Sequence, residues 1–560
     1  MKVIVIGGVA GGASFAARLR RLDEHAEILM VERGPYVSFA NCGLPYYVGG
    51  VIEDESSLLV ASAQGFRDTF AVDVQTRCEA VAISPAARTV TLRNVVTGED
   101  TVHSYDKLVL APGAQSVRPP LPGMDLPGIF QVRTVPDARE IRAWIDRASA
   151  ALAARQIHGA DGVPDMKLRA VVVGGGFIGL EMVENLVHRG IEVTLVELLD
   201  QVLPPLDVEH ARAVETTLAQ HGVQMALGDG LSGFTSAADG GLLVETRSGA
   251  VHPADLVIVS LGVRPDVALA RQAGLEIGER GGIRVDDQMR TSDPNIFAVG
   301  DAVEVRDTVT GQWSLIALAG PANRQGRIAA DVIAGRNSRY RGTQGTAVVG
   351  VFGQTVAWTG VSEKLLNRLG DTDYEKIYLT PNSHAGYYPG ARPLSMKVLF
   401  RKSDGRLLGA QAIGEDGVDK RINVLAAMLQ MGATIYDLEE VEMCYAPQFG
   451  SAKDPVNFAG MVAGNVLRGD MPISHWSEIG DGFLLDVREP SEVDAEAAPG
   501  ALNVPLGQLR TRLNDLPRDR AIHVICRSGV RAYNATRMLL QHGFNASTLS
   551  GGMLARAYQA

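Results

Sequence analysis

Two of the four cysteines lie in sequence settings that suit thiol chemistry. Cys42 follows the strand-like residues 36–39 and begins a predicted helix, whose free N–H groups and dipole favour a thiolate. Cys78 and Cys444 have no such setting, and we interpret them as inert. Four scattered cysteines are too few for a disulfide scaffold or a zinc site, so we predict a chemical use and no bound metal.

The second reactive cysteine, Cys526, begins a loop that suits sulfur transfer. Residues 526–531 read Cys-Arg-Ser-Gly-Val-Arg and lie between a predicted strand, residues 522–525, and a predicted helix. Successive backbone N–H groups, closed by Arg531, stabilise a thiolate or a persulfide. We therefore predict that Cys526 and Arg531 together hold an anionic sulfur species.

Glycine-rich loops occur at two places, each between a predicted strand and a predicted helix. Such a loop lets the backbone approach a pyrophosphate, whose charge is met by free N–H groups and the helix dipole. In the loop at residues 7–12, Val9 replaces the middle glycine of the pattern, whereas the loop at residues 174–179 keeps all three glycines. The predicted contact residues are Gly7, Gly11 and Gly12 in the first loop and Gly174, Gly176 and Gly179 in the second.

Each of these units continues to a second strand that ends on a glutamate, Glu32 in the first unit and Glu197 in the second. An acidic residue at this distance from the glycine loop can bind ribose hydroxyls. Glu197 is followed by Leu198 and Leu199, with no arginine. A 2′-phosphate would meet a carboxylate there, so the second site favours a dinucleotide without a 2′-phosphate.

The two loops resemble those of flavoprotein disulfide reductases with two dinucleotide-binding domains. The motifs Ala-Pro-Gly-Ala at residues 111–114 and Phe-Ala-Val-Gly-Asp at residues 297–301 carry the same resemblance. It implies FAD at the first loop and NADH, or less favourably NADPH, at the second. The implied FAD-binding residues are Gly7, Gly11, Gly12, Glu32, Ala111, Gly113 and Asp301.

The segment around Cys42 has a single cysteine where many members of that family have two, spaced C-x4-C. Residues 38–46 closely resemble coenzyme A disulfide reductases, as do residues 383–390, 419–422 and 445–454. This resemblance implies a homodimer in which Tyr387 and Tyr445 reach Cys42 of the partner subunit. The implied coenzyme A-binding residues are Ser14, Arg18, Arg21, Ser38, Asn41 and Lys453.

The C-terminal segment resembles a rhodanese in residues 486–490, residues 499–505 and the loop that begins at Cys526. That loop has one residue fewer than the loop of related phosphatases, which favours sulfur transfer. A sulfur-carrying domain joined to a thiol-handling flavoprotein favours persulfide chemistry. We predict reduction of coenzyme A persulfide, polysulfide or coenzyme A disulfide, with hydride passing from NAD(P)H via FAD to Cys42. Cys526 is predicted to handle sulfane sulfur.

Two alternatives remain open from the sequence. NADH oxidases and peroxidases also use a single cysteine, as a sulfenic acid. Peroxidases of that class place a histidine in the first glycine loop, where this chain has Ala10. The other alternative is a redox-sensing protein that binds FAD and coenzyme A without useful turnover.

The elements that position these residues predict an α/β protein of several domains. We expect two Rossmann-like dinucleotide-binding domains, an α+β dimerisation domain and a C-terminal rhodanese domain. The predicted boundaries are residues 1–120 with 285–340 for FAD, 121–284 for NAD(P)H, 341–465 for the interface and 472–560 for the rhodanese.

The composition limits the partners. The net charge of −11 over 560 residues argues against a nucleic-acid or anionic-membrane binder. No segment has the roughly 18 uninterrupted apolar residues of a membrane span. We therefore expect a cytoplasmic enzyme that acts on small sulfur compounds.

Overall fold

The structure is a computed structural model that describes residues 1–158, 167–238 and 240–559. These residues form two compact units, which are considered separately. The first contains residues 1–200 and 221–345, and the second contains residues 201–220 and the chain from residue 346 onward. Within the described residues, no helix is both long and apolar enough to cross a membrane.

A parallel five-stranded sheet forms the first half of the first unit. Its strands, in spatial order, are Ile296–Ala298, Lys107–Leu110, Lys2–Ile6, Glu27–Glu32 and Asp73–Thr76. The strand Lys2–Ile6 is buried from Val3 onward, as expected when both faces of a parallel sheet are covered. The helix Ala10–Arg20 follows it directly and packs against the helix Ala319–Ile333.

A second parallel sheet repeats this arrangement. Its strands, in spatial order, are Gln224–Ala226, Glu192–Val196, Arg169–Val173, Leu256–Val259 and Ile129–Phe130. The helix Phe177–His188 follows the central strand Arg169–Val173. Both predicted strand–loop–helix–strand units are therefore present.

Smaller elements complete the first unit. The antiparallel strands are Cys78–Ser84, Thr89–Asn94 and Asp100–Ser104 in one sheet, Leu231–Ser236, Leu242–Thr246 and Val251–Ala254 in another, and Ala114–Ser116 with Val263–Pro265 in a third. The strands Ile283–Arg284, Val303–Arg306 and Trp313–Ser314 form a mixed sheet. The remaining helices are Leu44–Gly49, Ala63–Phe70, Val135–His158 and Ala268–Gln272.

The second unit begins with an antiparallel five-stranded sheet packed against helices. The strands, in spatial order, are Ala347–Val351, Gln354–Gly360, Leu407–Gly414, Leu394–Arg401 and Tyr374–Leu379. Every residue of Leu407–Gly414 is buried. The helices of this part are Val208–Gln220, Glu363–Leu369, Val418–Gln430, Ile435–Glu440 and Pro455–Leu467.

A buried cluster of charges lies in this sheet. The side chain of Lys397 is 0% exposed, and its Nζ lies 3.0 Å from Asp207 Oδ2, 3.1 Å from Glu209 Oε1 and 2.6 Å from Glu363 Oε2. Lys376 Nζ forms a further ion pair of 2.5 Å with Glu363. A buried charge is costly unless it is paired, and here the partners of Lys397 include Asp207 and Glu209 at the start of the helix Val208–Gln220. The ion pairs thus connect this helix to the sheet.

The chain ends in a parallel sheet with the spatial order Ile473–Ser474, Ala546–Leu549, Ile522–Ile525, Phe483–Asp486 and Leu502–Asn503. Its helices are Pro490–Ala495, Val530–Gln541 and Gly552–Gln559. Its core contains Leu485, Val524 and Leu539. The predicted α/β fold class, with two Rossmann-like sheets and two further domains, is confirmed, whereas the residue numbers given for the domain boundaries stay predictions.

Candidate active site

Cys42 lies in a single 3-10 turn, Asn41–Gly43, that leads into the helix Leu44–Gly49. The helical start predicted at this cysteine is present, but the strand predicted at residues 36–39 is wrong. Ser38 has a φ of 48°, in the left-handed region, so an extended strand is interrupted there. Phe39 makes only an isolated bridge, to Leu59. The Cys42 side chain is exposed by this turn.

The protein groups around Cys42 do not favour its thiolate. Partial desolvation raises the pKa of the Cys42 thiol, and the carboxylates of Glu181 and Asp301 raise it further. These groups oppose the lowering of this pKa that the helix start predicts. The following helix has only six residues, so its dipole is weak, and desolvation is the largest cause of the raised pKa, followed by the two carboxylates.

Glu181 is a residue of this site that the sequence reasoning missed. It lies on the helix Phe177–His188, and Tyr46 Oη donates a hydrogen bond of 3.4 Å to its Oε1. Burial raises the pKa of Glu181 to about 7, and the neighbouring Glu184 adds to the shift. Burial beside Glu181 also raises the pKa of Tyr46 to about 12. An acidic residue two positions after Gly179 was the available signal.

The first glycine loop has the close backbone approaches that its sequence predicted. Gly7 has a φ of 98°, and a Cβ added to it would overlap the carbonyl oxygen of Ala111. A Cβ on Gly12 would overlap the carbonyl oxygen of Gly7. The Glu32 carboxylate accepts hydrogen bonds from the N–H groups of Gly8, at 3.0 Å, and Gly34, at 2.8 Å.

The second glycine loop repeats this geometry. Gly174 has a φ of 108°, and a Cβ on Gly179 would overlap the carbonyl oxygen of Gly174. The Glu197 carboxylate accepts hydrogen bonds from the N–H groups of Gly175, at 2.6 Å, and Leu199, at 2.9 Å. A Cβ on Gly176 would meet no atom within 4 Å, so packing alone does not require glycine there. The open space at this helix start fits a pyrophosphate.

Other predicted FAD-binding residues lie at the carboxyl end of the first sheet. Asp301 lies in the turn Gly300–Ala302, directly after the strand Ile296–Ala298. Burial raises the pKa of Asp301, and Arg133 opposes that shift. Gly113 has a φ of 72°, which disfavours any other residue there. A Cβ added to Gly11 would lie only 2.9 Å from Val299 Cγ2, so a side chain would not fit without a shift of that valine. Ligands of open α/β sheets bind at this edge, so these residues fit a dinucleotide such as FAD.

The residues predicted to hold coenzyme A are only partly available in the structure. Arg18 forms a 2.8 Å ion pair with Asp331, and Ser14 Oγ donates a hydrogen bond to Asn323. Arg21 is exposed, with its guanidinium 5.9 Å from the ring centroid of Phe70.

The loop before Cys42 supplies the other predicted contacts. Ser38 donates its N–H to the carbonyl oxygen of Gly8 in the first glycine loop, at 2.8 Å. The Oδ1 atom of Asn41 is buried and has no hydrogen-bond partner among the described residues, which fits a polar ligand. Lys453 is exposed in the second unit.

The structure brings together the two tyrosines that the resemblance singled out. The hydroxyl oxygens of Tyr387 and Tyr445 lie 2.7 Å apart, and the side chains are 77% and 48% exposed. Both residues belong to the second unit. Their shared hydrogen bond raises the pKa of Tyr387. The arrangement presents a pair of phenols at the surface of the chain.

Cys526 directly follows the strand Ile522–Ile525, as predicted. Its side chain is 1% exposed, and Gly529 donates its N–H to Cys526 Sγ at 3.1 Å. Gly529 has a φ of 104°, which turns the loop into the helix Val530–Gln541. Backbone N–H groups that face a sulfur atom stabilise its negative charge.

Arg531 has a partner that the sequence reasoning missed. Its two terminal nitrogens lie 2.6 and 2.7 Å from the carboxylate oxygens of Glu492, in a bidentate ion pair. This ion pair lowers the pKa of Glu492 to about 2. Arg531 still interacts electrostatically with Cys526. Because Glu492 lies 39 residues earlier, no local pattern pointed to it.

Comparisons with known protein families match three segments of the chain. Residues 1–326 match the pyridine nucleotide-disulphide oxidoreductase family, and residues 346–454 match the dimerisation domain of that family. Residues 473–556 match the rhodanese-like domain.

Individual proteins resemble the chain over most of its length. A coenzyme A disulfide reductase from Staphylococcus epidermidis is 33% identical over 463 residues, which are 82% of this chain and 99% of that protein. The structure of reduced CoADR-RHD from Bacillus anthracis is 45% identical, with a TM-score of 0.94 over 100% of this chain and 98% of that one. A NAD-dependent persulfide reductase from A. fulgidus is 36% identical, with a TM-score of 0.90 over 99% and 100% of the two chains.

These matches agree with the paired glycine loops, the isolated Cys42 and the Cys526 loop. The chain belongs to the pyridine nucleotide-disulphide oxidoreductase family, with that family's dimerisation domain and a C-terminal rhodanese-like domain.

Proposed function

We propose that this chain is an NAD(P)H-dependent flavoprotein that reduces coenzyme A persulfide, polysulfide or coenzyme A disulfide. The observation that carries the proposal is that Cys42 is a free, exposed thiol with no second cysteine in its segment. A cysteine that cycles without an internal partner forms its bond with a substrate sulfur or with oxygen. The named relatives that act on coenzyme A disulfide or persulfide support the first of these.

The proposed reaction begins at the Cys42 sulfur. Its thiolate attacks one sulfur of the substrate S–S bond, which breaks as the new bond to Cys42 forms, and the other sulfur leaves with the electron pair. When bound, FAD supplies the transfer of two electrons from NAD(P)H that returns Cys42 to the thiolate. A thiol and hydrogen sulfide are the products from coenzyme A persulfide.

Other residues bind and orient the reactants. Glu32 and Asp301 hold FAD together with Gly7, Gly11, Gly12, Ala111 and Gly113, whereas Glu197 holds the nicotinamide nucleotide together with Gly174, Gly176 and Gly179. Coenzyme A is held by Ser14, Arg18, Arg21, Ser38, Asn41 and Lys453. Arg18 would have to share or exchange its Asp331 partner to bind a phosphate, and Asp331 keeps Ser338 Oγ as a donor, at 2.9 Å, in either case.

The active form is proposed to be a homodimer. The exposed pair Tyr387 and Tyr445 would then lie near Cys42 of the partner subunit and donate a proton to the departing thiolate. The exposure of these two phenols in a single chain and the match to a dimerisation domain support this arrangement.

Cys526 is proposed to accept sulfane sulfur and to pass it to coenzyme A or to Cys42. Its Sγ atom already accepts the N–H of Gly529, as a bound thiolate or persulfide requires. This division of labour separates electron transfer at Cys42 from sulfur transfer at Cys526.

The proposal is tested by NADH oxidation with defined acceptors. Cys42→Ser should abolish the reduction of coenzyme A persulfide, whereas Cys526→Ser should slow only polysulfide or other substrates that need sulfur transfer. Equal losses on every substrate would contradict the division of labour. NADH consumption with oxygen alone, as fast as with persulfide, would instead support an oxidase, and negligible turnover with every acceptor would support a sensor.

A further inference from the structure

The Cys526 loop carries an arginine whose charge is already neutralised. The bidentate pair between Arg531 and Glu492 uses both terminal nitrogens of the guanidinium. Such fork-like pairing is the strongest arrangement between these two groups. Arg531 therefore contributes little net positive potential to a molecule that approaches Cys526.

The surroundings of this pair are acidic. Residues 489–496 carry the side chains of Glu489, Glu492, Asp494 and Glu496, and Glu489 also interacts electrostatically with Arg531. Arg488, the basic residue next to this stretch, is buried in its own pair with Asp486, at 2.7 Å. Within residues 488–496, the single basic side chain is therefore already paired with a carboxylate.

The remaining loop groups offer few fixed positive charges. Cys526 Sγ is stabilised by the N–H of Gly529, and Val530 presents a side chain that is 53% exposed. Arg527 is exposed, as are Glu489, Asp494 and Glu496, so water and salt screen all four of these charges. The Cys526 loop therefore combines a backbone N–H group with an exposed apolar side chain. These groups suit a sulfur donor of low charge better than a compact dianion.

We propose that Glu492 is a specificity-determining residue of the C-terminal domain, because its pairing with Arg531 disfavours dianionic sulfur donors such as thiosulfate. Singly charged donors such as hydropolysulfide remain good substrates. The inference rests on the proposed function of Cys526 as a sulfane-sulfur acceptor. Glu492 acts through Arg531 and touches no substrate, so it is a positioning residue.

The transfer step is the same for both donors. The Cys526 thiolate attacks the sulfane sulfur and forms a new S–S bond, while the donor's S–S bond breaks and its electron pair leaves with sulfite or with the shortened polysulfide. No electrons are gained or lost overall, and total charge is conserved. Thiosulfate brings two negative charges to the acidic side of the loop, whereas hydropolysulfide brings one.

The test uses the full-length holoenzyme and measures sulfur transfer from each donor to cyanide. Glu492→Gln should lower the KM for thiosulfate roughly tenfold, the effect of one unbalanced charge near a protein surface, with kcat little changed. Values for polysulfide should change only about threefold, because a singly charged donor feels half of that interaction energy. Glu492→Asp, which keeps the charge, should retain the wild-type donor preference.

Asp494→Asn is the matched control, because Asp494 is an exposed carboxylate on the same helix, Pro490–Ala495. A shift in donor preference as large in this variant as in Glu492→Gln would overturn the proposal, as would an equal gain on both donors or none. Glu492→Met repeats the measurement if the glutamine variant misfolds. If wild-type Cys526 takes sulfur from neither donor, the proposed function of the domain fails as well; transfer with unaltered preference in Glu492→Gln overturns this inference alone.

Discussion

Tyr387 and Tyr445 share a hydrogen bond of 2.7 Å between their hydroxyl groups, although 58 residues separate them in the sequence. One phenol must donate to the other, so the two behave as a single proton-donating unit. The hydrogen bond raises the pKa of Tyr387.

Loss of either phenol should slow the release of thiol from Cys42. We expect Tyr445→Phe to lower kcat for coenzyme A persulfide about 10²-fold, the lower end of the effect of a general acid, with a smaller change in KM. Because the pair acts as a unit, the double variant with Tyr387→Phe should be no slower than the slower single variant. Tyr388→Phe, which changes a nearby exposed phenol, is the control. Independent, multiplicative effects of the two substitutions would argue against a shared proton.

The raised pKa of Cys42 predicts a specific pH dependence. In the protein without bound nucleotide, alkylation of Cys42 by iodoacetamide should keep rising with pH beyond the range of an ordinary cysteine, because the raised pKa shifts thiolate formation to higher pH. Glu181→Gln removes a negative charge that disfavours the thiolate, so the same reaction should become about threefold faster at pH 8. The rate is followed by mass spectrometry of the Cys42 peptide.

The matched control for this measurement is Glu184→Gln. Glu184 raises the pKa of Glu181 and of Tyr46 but does not act on Cys42 itself. We therefore expect a smaller change in alkylation rate than for Glu181→Gln. An unchanged Cys42 rate in Glu181→Gln would show that the Glu181 charge does not contribute to the raised thiol pKa.

The elements that hold the cofactors were predictable from the sequence because their signals are local. Gly7 and Gly174 have positive φ values, and an added Cβ would overlap a backbone carbonyl at each position. Only glycine suits such positions, so it occurs at a fixed spacing after an apolar strand. The strand Ile522–Ile525 and the turn at Cys526 are likewise read from adjacent residues.

The contacts that modify the reactive groups were not predictable in this way. Glu181 lies 135 residues from Tyr46, and Glu492 lies 39 residues from Arg531. An isolated carboxylate on a helix is normally a solvated charge, so only the folded chain shows which of them faces a thiol or an arginine. The strand expected at residues 36–39 failed for a related reason, since the left-handed Ser38 has no glycine to mark it.

The buried cluster around Lys397 predicts a large effect on stability. Lys397→Met would leave the carboxylates of Asp207, Glu209 and Glu363 without their shared cation. Breaking a buried ion pair costs about 3–5 kcal/mol, so we expect a clear fall in the melting temperature of the second unit. Lys376→Met should have a smaller effect, because Lys376 is partly exposed and Glu363 keeps Lys397.

The same cluster predicts acid sensitivity. Burial opposes ionisation of Glu209, but the charge of Lys397 together with hydrogen bonds from Tyr378, Lys397 and the backbone outweighs it and lowers the pKa of Glu209 to about 2. The folded-state pKa lies below the unfolded value, which is about 4.3 for glutamate, so ionised Glu209 stabilises the fold when the pH is above about 4.3. This contribution is lost as the pH falls from there towards 2. Melting temperatures measured from pH 6 to pH 3 should fall more steeply in the wild type than in Lys397→Met. Parallel curves would exclude this linkage.

The equivalent geometry of Glu32 and Glu197 predicts that the same substitution has a different consequence at each loop. Both carboxylates accept two backbone N–H groups, one from their own glycine loop. In Glu197→Gln, loss of the negative charge removes repulsion of a 2′-phosphate, so the ratio of kcat/KM for NADPH over NADH should rise about tenfold. One of the two backbone hydrogen bonds is also lost, so activity with NADH should fall. Glu32→Gln should leave that ratio unchanged and should instead weaken FAD retention, measured by flavin absorbance after gel filtration. Loss of FAD in Glu197→Gln, or a changed nucleotide preference in Glu32→Gln, would reverse the assignment of the two loops.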